Sequence, residues 1–264
     1  MAEILIGTSG YYYDDWKGLF YPDDLKKKDY LTHYSLHFNV IELNFTYYRL
    51  PEYRRIKGMI EKAENRLIFI VKAYGGITHE ISGKSIDTIL PRFLDGITPL
   101  IEKNLLGAVL IQFPQGFHYT DQNRFYLKNL LEATNHYPLC VEFRNKEWLR
   151  DSVYSGLREL DAGFVCVDEP DLPGLIPPMA LSTSKLGYIR FHGRNKKNWY
   201  GTDSTSRYDY LYSEKELREW LPRIKEISAH TEKLFIFFNN HAKSQAVTNS
   251  RMLINLLRVH EKIN

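Results

Sequence analysis

Short apolar runs punctuate this chain at near-regular intervals. Eight stand out, at residues 4–8, 40–44, 67–72, 108–112, 139–144, 164–168, 188–192 and 234–239, and most close on a charged or amide residue. Their length suits strands. Segments with helical spacing lie between most of them: 29–38, 51–63, 85–104 with a kink or tolerated proline at Pro91, 122–133 behind an Asp121 cap, 146–160 behind Asn145, a stretch to Ala229 opened by a Ser213/Glu216 capping box, and 242–262. Two segments break the rhythm. Residues 171–185 carry Pro173, Gly174, Pro177 and Pro178 and predict no regular helix. Residues 193–212 predict a long loop of aromatic and basic residues. Eight strands with helical segments between most of them predict an α/β fold: one (β/α)8 TIM barrel spanning residues 1–264, with that long loop after strand seven.

Alternation within each run sorts its side chains between two faces. One face of each run is apolar and belongs against the helices. The other is apolar low down and polar at its carboxyl end, as expected of the barrel interior. The expected rim therefore holds Glu42, Asn44, Lys72, Gln112, Glu142, Arg144, Asp168, Arg190 and His192, with Asn239 or Asn240 from strand eight. A parity error would put a charge in the helix layer, at a cost of several kcal/mol.

Composition adds bounds. Of the 264 residues, 44% are hydrophobic, enough for a full core, and the formal charge of +3 is too mild to signal a nucleic-acid or membrane partner by itself. The two cysteines, Cys140 and Cys166, are too few for a disulfide scaffold and read as buried thiols. No run is long enough for a membrane helix and no signal peptide is visible, so the expectation is a cytoplasmic protein. Aromatics are the outlier, with 19 Tyr and 14 Phe, many Tyr in loops where amphipathic rings commonly line clefts.

The same residues carry a resemblance that runs nearly end to end. Ile6-Gly7-Thr8-Ser9-Gly10, then Tyr12, Trp16 and Phe20-Tyr21-Pro22, open it. Glu42-Leu43-Asn44-Phe45-Thr46-Tyr47-Tyr48-Arg49-Leu50-Pro51, Val71-Lys72-Ala73, Gln112-Phe113-Pro114, Glu142-Phe143-Arg144 with Trp148, Asp168, and Arg190-Phe191-His192-Gly193-Arg194 continue it. Tyr200, Tyr208, Tyr210, Tyr212 and Phe238-Asn239-Asn240 complete it. In combination these motifs resemble the YecE-like family, catalogued as a domain of unknown function (number seventy-two). The resemblance implies a TIM barrel and little about reaction, since the family's activity is not established.

The rim concentrates positive charge: Lys72, Arg144, Arg190 and Arg194 suit an anionic small molecule, phosphate foremost, because a guanidinium presents a fork to phosphate or carboxylate. Glu42, Glu142 and His192 are the acid/base candidates for a hydrolase, lyase or isomerase. Lys72 is a salt-bridge partner or, if desolvated beside Arg, a Schiff-base nucleophile. Asn44, Gln112, Asp168 and Asn239 would orient the ligand, and Tyr12, Trp16 and Tyr200 would wall the pocket. No cofactor is expected. A divalent metal is a minor alternative on Glu42, Glu142, Asp168, His192 and His79, opposed by the surrounding cations. The other readings are a nucleic-acid binder or metal-assisted phosphodiesterase, and a non-catalytic ligand-binding protein. Oligomeric state is not legible.

Overall fold

In the computed structural model, which describes residues 2–201 and 204–261, the eight expected runs all form parallel strands: β1 (Glu3–Thr8), β2 (Val40–Leu43), β3 (Ile68–Lys72), β4 (Leu106–Gln112), β5 (Leu139–Glu142), β6 (Ala162–Asp168), β7 (Leu186–Phe191) and β8 (Lys233–Phe238). They follow chain order around a barrel in which β8 pairs with β1. The remaining seam, between β1 and β2, is closed more loosely. It holds one bridge, Ser9 to Glu42, and a hydrogen bond from the Gly10 amide to the Glu42 carbonyl at 2.8 Å. The strands are buried on both faces because barrel interior and helix layer both exclude water.

Glu42, Glu142 and Arg190 meet across the barrel and so mark the inward face. Partners in a parallel ladder point the same way. Ile70 beside Glu42, Gln112 beside Glu142, and Val167 and Phe237 beside Arg190 therefore look inward. Strand six departs from expectation here. Val165 and Val167 take the inward positions, while Phe164, Cys166 and Asp168 face the helices. The Phe164 ring meets Tyr154 edge-on at 5.7 Å, and Asp168 accepts the Trp220 indole N–H at 2.6 Å. Both faces of this strand are apolar along its length, so only its polar end carried the assignment. Glu169, one residue on, takes the rim position expected of Asp168.

Helix boundaries shift where local chemistry decides them. The expected 85–104 helix is a wide turn, Ser85–Ile89, followed by Leu90–Glu102, with Pro91 in the first turn where its missing N–H leaves nothing unpaired. Thr120, not Asp121, caps Asp121–Thr134 by accepting the Asn123 amide at 3.2 Å. Asn145 caps only a short turn, Lys146–Trp148, before helix Asp151–Glu159. The Ser213/Glu216 capping box forms, but its helix ends at Arg218 and a second runs Leu221–Ala229. The last helix is Gln245–Glu261, and its expected end at Lys262 lies outside the described residues. Residues 171–185 hold no helix, and the described residues of the loop after β7 contain one short helical turn, Ser204–Arg207. Cys140 and Cys166 are buried free thiols, and burial pushes Cys166 up to about 12. Among the described residues, no helix is long and apolar enough to cross a membrane.

Candidate active site

The carboxyl ends of the strands hold a buried ionic network. Arg190 on β7 donates through Nη2 to Glu42 Oε1 and through Nη1 to Glu142 Oε2, both at 2.6 Å. Tyr188, one inward position lower, donates its hydroxyl to Glu42 Oε2 at 2.6 Å. Arg144 Nε donates to Glu142 Oε1, and Arg144 Nη1 reaches Glu169 Oε2 at 3.1 Å. Burial alone would raise Glu142, but Arg144, Arg190 and His192 outweigh it and hold this carboxyl well below the usual range.

His192 completes the network. Burial first, then Arg144, holds it well below its ordinary value, so it is neutral at pH 7. Its contacts assign the tautomer: Nε2–H donates to Glu142 Oε1 at 3.1 Å, leaving Nδ1 to accept from Asn239 Nδ2 at 3.2 Å and Arg144 Nη2 at 3.4 Å.

With His192 neutral, three carboxylates (Glu42, Glu142, Glu169) share two guanidiniums. Glu169 is the one in surplus. Burial raises it to about 7 against the pull of Arg144 and the Ile176 amide, which donates to Oε1 at 3.0 Å. The sign of its effect follows. Between the unfolded carboxyl value near 4.5 and about 7, the folded state holds a proton the unfolded state has lost, so stability falls as pH rises through that window and is flat above it. We expect Glu169→Gln to remove a slope of up to about 1.4 kcal/mol per pH unit between pH 5 and 7. Denaturant melts of both proteins across pH 5–8.5 read this directly, and the His192 contribution cancels in the difference. A pH-independent offset would mean that Glu169 stays ionised.

Above the network lies a cavity of about 1350 Å³, lined near the strand ends by Asn44, Lys72, Gln112, Arg144, Arg190 and Asn239. Tyr13, Tyr47, His79, Trp199, Tyr208 and His241 wall it, and Tyr12 and Tyr200, 56% and 60% exposed, stand at its lip. Its outer arm runs along Lys28, Arg54, Arg55 and Lys62. No Asp or Glu lines it among the described residues. Lys72 rests over the Tyr47 ring at 4.5 Å, and its amine is drawn down to about 7 by burial first and then by Arg190. His79 is lowered to about 4 by burial and then by Lys72. Arg144 and Arg207 both lie over Trp199, at 5.8 and 6.0 Å.

The structure thus gathers Glu42, Asn44, Lys72, Gln112, Glu142, Arg144, Arg190, His192 and Asn239 at one mouth, with Tyr12 and Tyr200 above. Glu42, Glu142 and His192 are 0% exposed and lie under the floor, where they grip the cations rather than a ligand. Three expected residues lie elsewhere. Asp168 is in the helix layer, accepting from Arg194, Tyr212 and Trp220. Arg194 turns outward with it and also pairs with Glu219 at 3.1 Å. Gly193, at φ +90°, redirects the chain, and its amide donates to Tyr212 rather than to a ligand. Trp16 is wholly buried behind the wall, its indole N–H bound to the His241 carbonyl at 2.6 Å, while Tyr13 stacks on His241 at 4.5 Å and forms the surface. Sequence reasoning missed Glu169, Tyr13 and Tyr47, whereas Trp199, Arg207 and Tyr208 belong to the aromatic and basic loop it singled out after strand seven. Extending alternation one residue past β6 would have found Glu169. No group of three or more His, Cys, Asp or Glu among the described residues is placed to hold a metal.

The family described as "Protein of unknown function DUF72" matches residues 5–264. The chain belongs to it. The UPF0759 protein YunF of Bacillus subtilis (strain 168) is 30% identical over 272 residues, covering 97% of this chain and 95% of its own. The crystal structure of a DUF72 family protein (TM1631) from Thermotoga maritima MSB8 superposes with a TM-score of 0.87 at 38% identity, covering 97% of this chain and 99% of that one. A DUF72 family protein (EF0366) from Enterococcus faecalis V583 gives 0.84 at 25% identity, covering 97% and 95%. These descriptions bear out the resemblance and the barrel of this DUF72 chain. They state no activity, so its chemistry rests on the site.

Proposed function

We propose that this DUF72 protein is an enzyme acting on a phosphorylated or otherwise anionic small molecule in the cavity at the carboxyl ends of its strands. One observation carries the reading: the cavity is lined by Lys72, Arg144, Arg190 and Arg207 and by no carboxylate among the described residues. The acids that balance Arg144 and Arg190 are placed beneath them, so the guanidiniums are oriented in advance while their outer edges meet the ligand. Arg190 Nε and Asn44 Oδ1 are buried without a partner among the described residues, a donor suited to an anionic oxygen and an acceptor suited to a hydroxyl. In this reading Glu42, Glu142 and His192 position, Gln112 and Asn239 orient, and the rings of Tyr12, Tyr208 and Tyr200 cover the ligand.

The test is a thermal-shift screen with sugar phosphates, nucleotides, inorganic phosphate and short oligonucleotides, on wild type and Arg207→Gln. A ligand at a hundredfold its Kd adds about 2.7 kcal/mol of stability. We expect a sugar phosphate or nucleotide to stabilise wild type and to do so markedly less in Arg207→Gln. The arm of Arg54, Arg55 and Lys62, none paired with a carboxylate among the described residues, favours the second reading, a nucleic-acid strand leaving the cavity. Stabilisation by oligonucleotides alone, falling steeply with salt, would replace the small-molecule reading with that one.

A further inference from the structure

Lys72 stands apart from the other cations at the floor of the cavity. Arg144 and Arg190 each hold two carboxylates. Lys72 shares their inward face, one strand from β2, yet makes no ion pair or hydrogen bond among the described residues and only lies over the Tyr47 ring. Its backbone is pinned, since the Thr46 hydroxyl donates to its carbonyl at 2.6 Å. A buried lysine beside Arg190 and Arg144, with the nearby Glu42 and Glu142 paired to those guanidiniums rather than to its amine, gains little from its own charge.

From this placement we infer that Lys72 is a nucleophilic amine that condenses with the carbonyl carbon of an aldehyde or ketone bearing the anionic group. The inference rests on the anion-binding reading and narrows its substrate class. The neutral amine adds its lone pair to the carbonyl carbon, and the oxygen takes up a proton. The carbinolamine then loses that oxygen as water and leaves an imine. No oxidant or reductant is required. Once protonated, the imine draws electrons from the adjacent carbon, which suits a lyase or isomerase rather than a hydrolase.

The surroundings fit such a step. With the amine near 7, a large fraction is neutral at physiological pH. An ordinary lysine has only about one part in a thousand neutral. His79 meets Tyr47 edge-on at 4.8 Å, on the ring that carries Lys72, and its Nδ1 is engaged by the Thr78 hydroxyl at 2.9 Å. Kept neutral, His79 is placed to move the proton between nitrogen and departing oxygen. Arg144 and Arg207, over the Trp199 ring, are placed to hold the anion.

Pyridoxal 5′-phosphate, an aldehyde with a phosphate and an aromatic ring, is a direct probe. Whole protein is incubated with limiting reagent, reduced with borohydride, and mapped by peptide mass spectrometry, with and without inorganic phosphate. We expect Lys72 to be labelled at least tenfold faster than the surface lysines, with a midpoint near pH 7, protection by phosphate, and loss of that adduct in Lys72→Met. Labelling spread over surface lysines with Lys72 spared, while phosphorylated ligands still raise the melting temperature, would overturn the imine and leave the anion site standing. Lys72 spared, with no ligand shift from any phosphorylated compound, would overturn both.

Discussion

Replacing Arg190 with alanine is expected to destabilise the barrel by about 3–5 kcal/mol at pH 7, a fall in Tm on the order of 10 °C for a chain of this size. The arginine is 2% exposed and holds Glu42 and Glu142, each 0% exposed, by one 2.6 Å bond apiece. Removing it leaves two carboxylates buried within one network, with only Tyr188, Arg144 and His192 to answer them. The pH dependence separates this cause from lost packing. In wild type the depressed Glu142 contributes stability that is present above the unfolded carboxyl value and lost as pH falls through its lower folded value. In the variant Glu142 loses one of the cations that hold its carboxyl down, and taking up a proton neutralises part of the charge left buried, so acidification relieves the loss. The deficit should be largest at pH 7–8 and shrink toward pH 5. A deficit that does not change over that range would assign the loss to the cavity left by the side chain.

Asp168→Ala should cost a similar amount, about 3–5 kcal/mol, while leaving ligand binding unchanged. The carboxylate is wholly buried and accepts from Arg194 Nη2 at 2.7 Å, the Tyr212 hydroxyl at 2.7 Å and the Trp220 indole at 2.6 Å. Truncation strands Tyr212 and Trp220 among apolar neighbours, whereas Arg194 keeps Glu219 near the surface. Asp168→Asn, which keeps one acceptor oxygen, should lose less than half as much. Urea melts give the stabilities, and the thermal shift produced by a saturating ligand gives the binding. A variant that folds normally but no longer responds to ligand would return Asp168 to the cavity mouth.

That contrast marks where the sequence was readable. The strands were legible because their apolar runs are short, evenly spaced and ended by polar residues. The inward parity of β2, β5 and β7 was legible because each pairs an apolar face with a mixed one. Strand six offers no such contrast: Phe164 and Cys166 are as apolar as Val165 and Val167, so alternation could not tell inside from outside. Arg194 was misplaced for a different reason. Periodicity ends with the strand, and Gly193 at φ +90° turns the chain before Arg194 is reached. Trp16 shows a third limit, since a ring behind a wall and a ring in front of it have the same residue type. Tyr47 and Arg207 lie on short turns, Phe45–Tyr48 and Ser204–Arg207, whose orientation depends on tertiary packing rather than on spacing.

The loose seam between β1 and β2 ties the barrel's mechanics to its chemistry. Every other pair of neighbouring strands is laced along several residues, but here one bridge at Glu42, the Gly10 amide, and the Tyr34 hydroxyl set between the Thr8 amide and the Val40 carbonyl carry the junction. Glu42 is therefore two things at once, a stitch in the wall through its backbone and an anchor for Arg190 through its side chain. The two roles are separable by substitution, because changing the side chain frees the guanidinium while the backbone stitch remains.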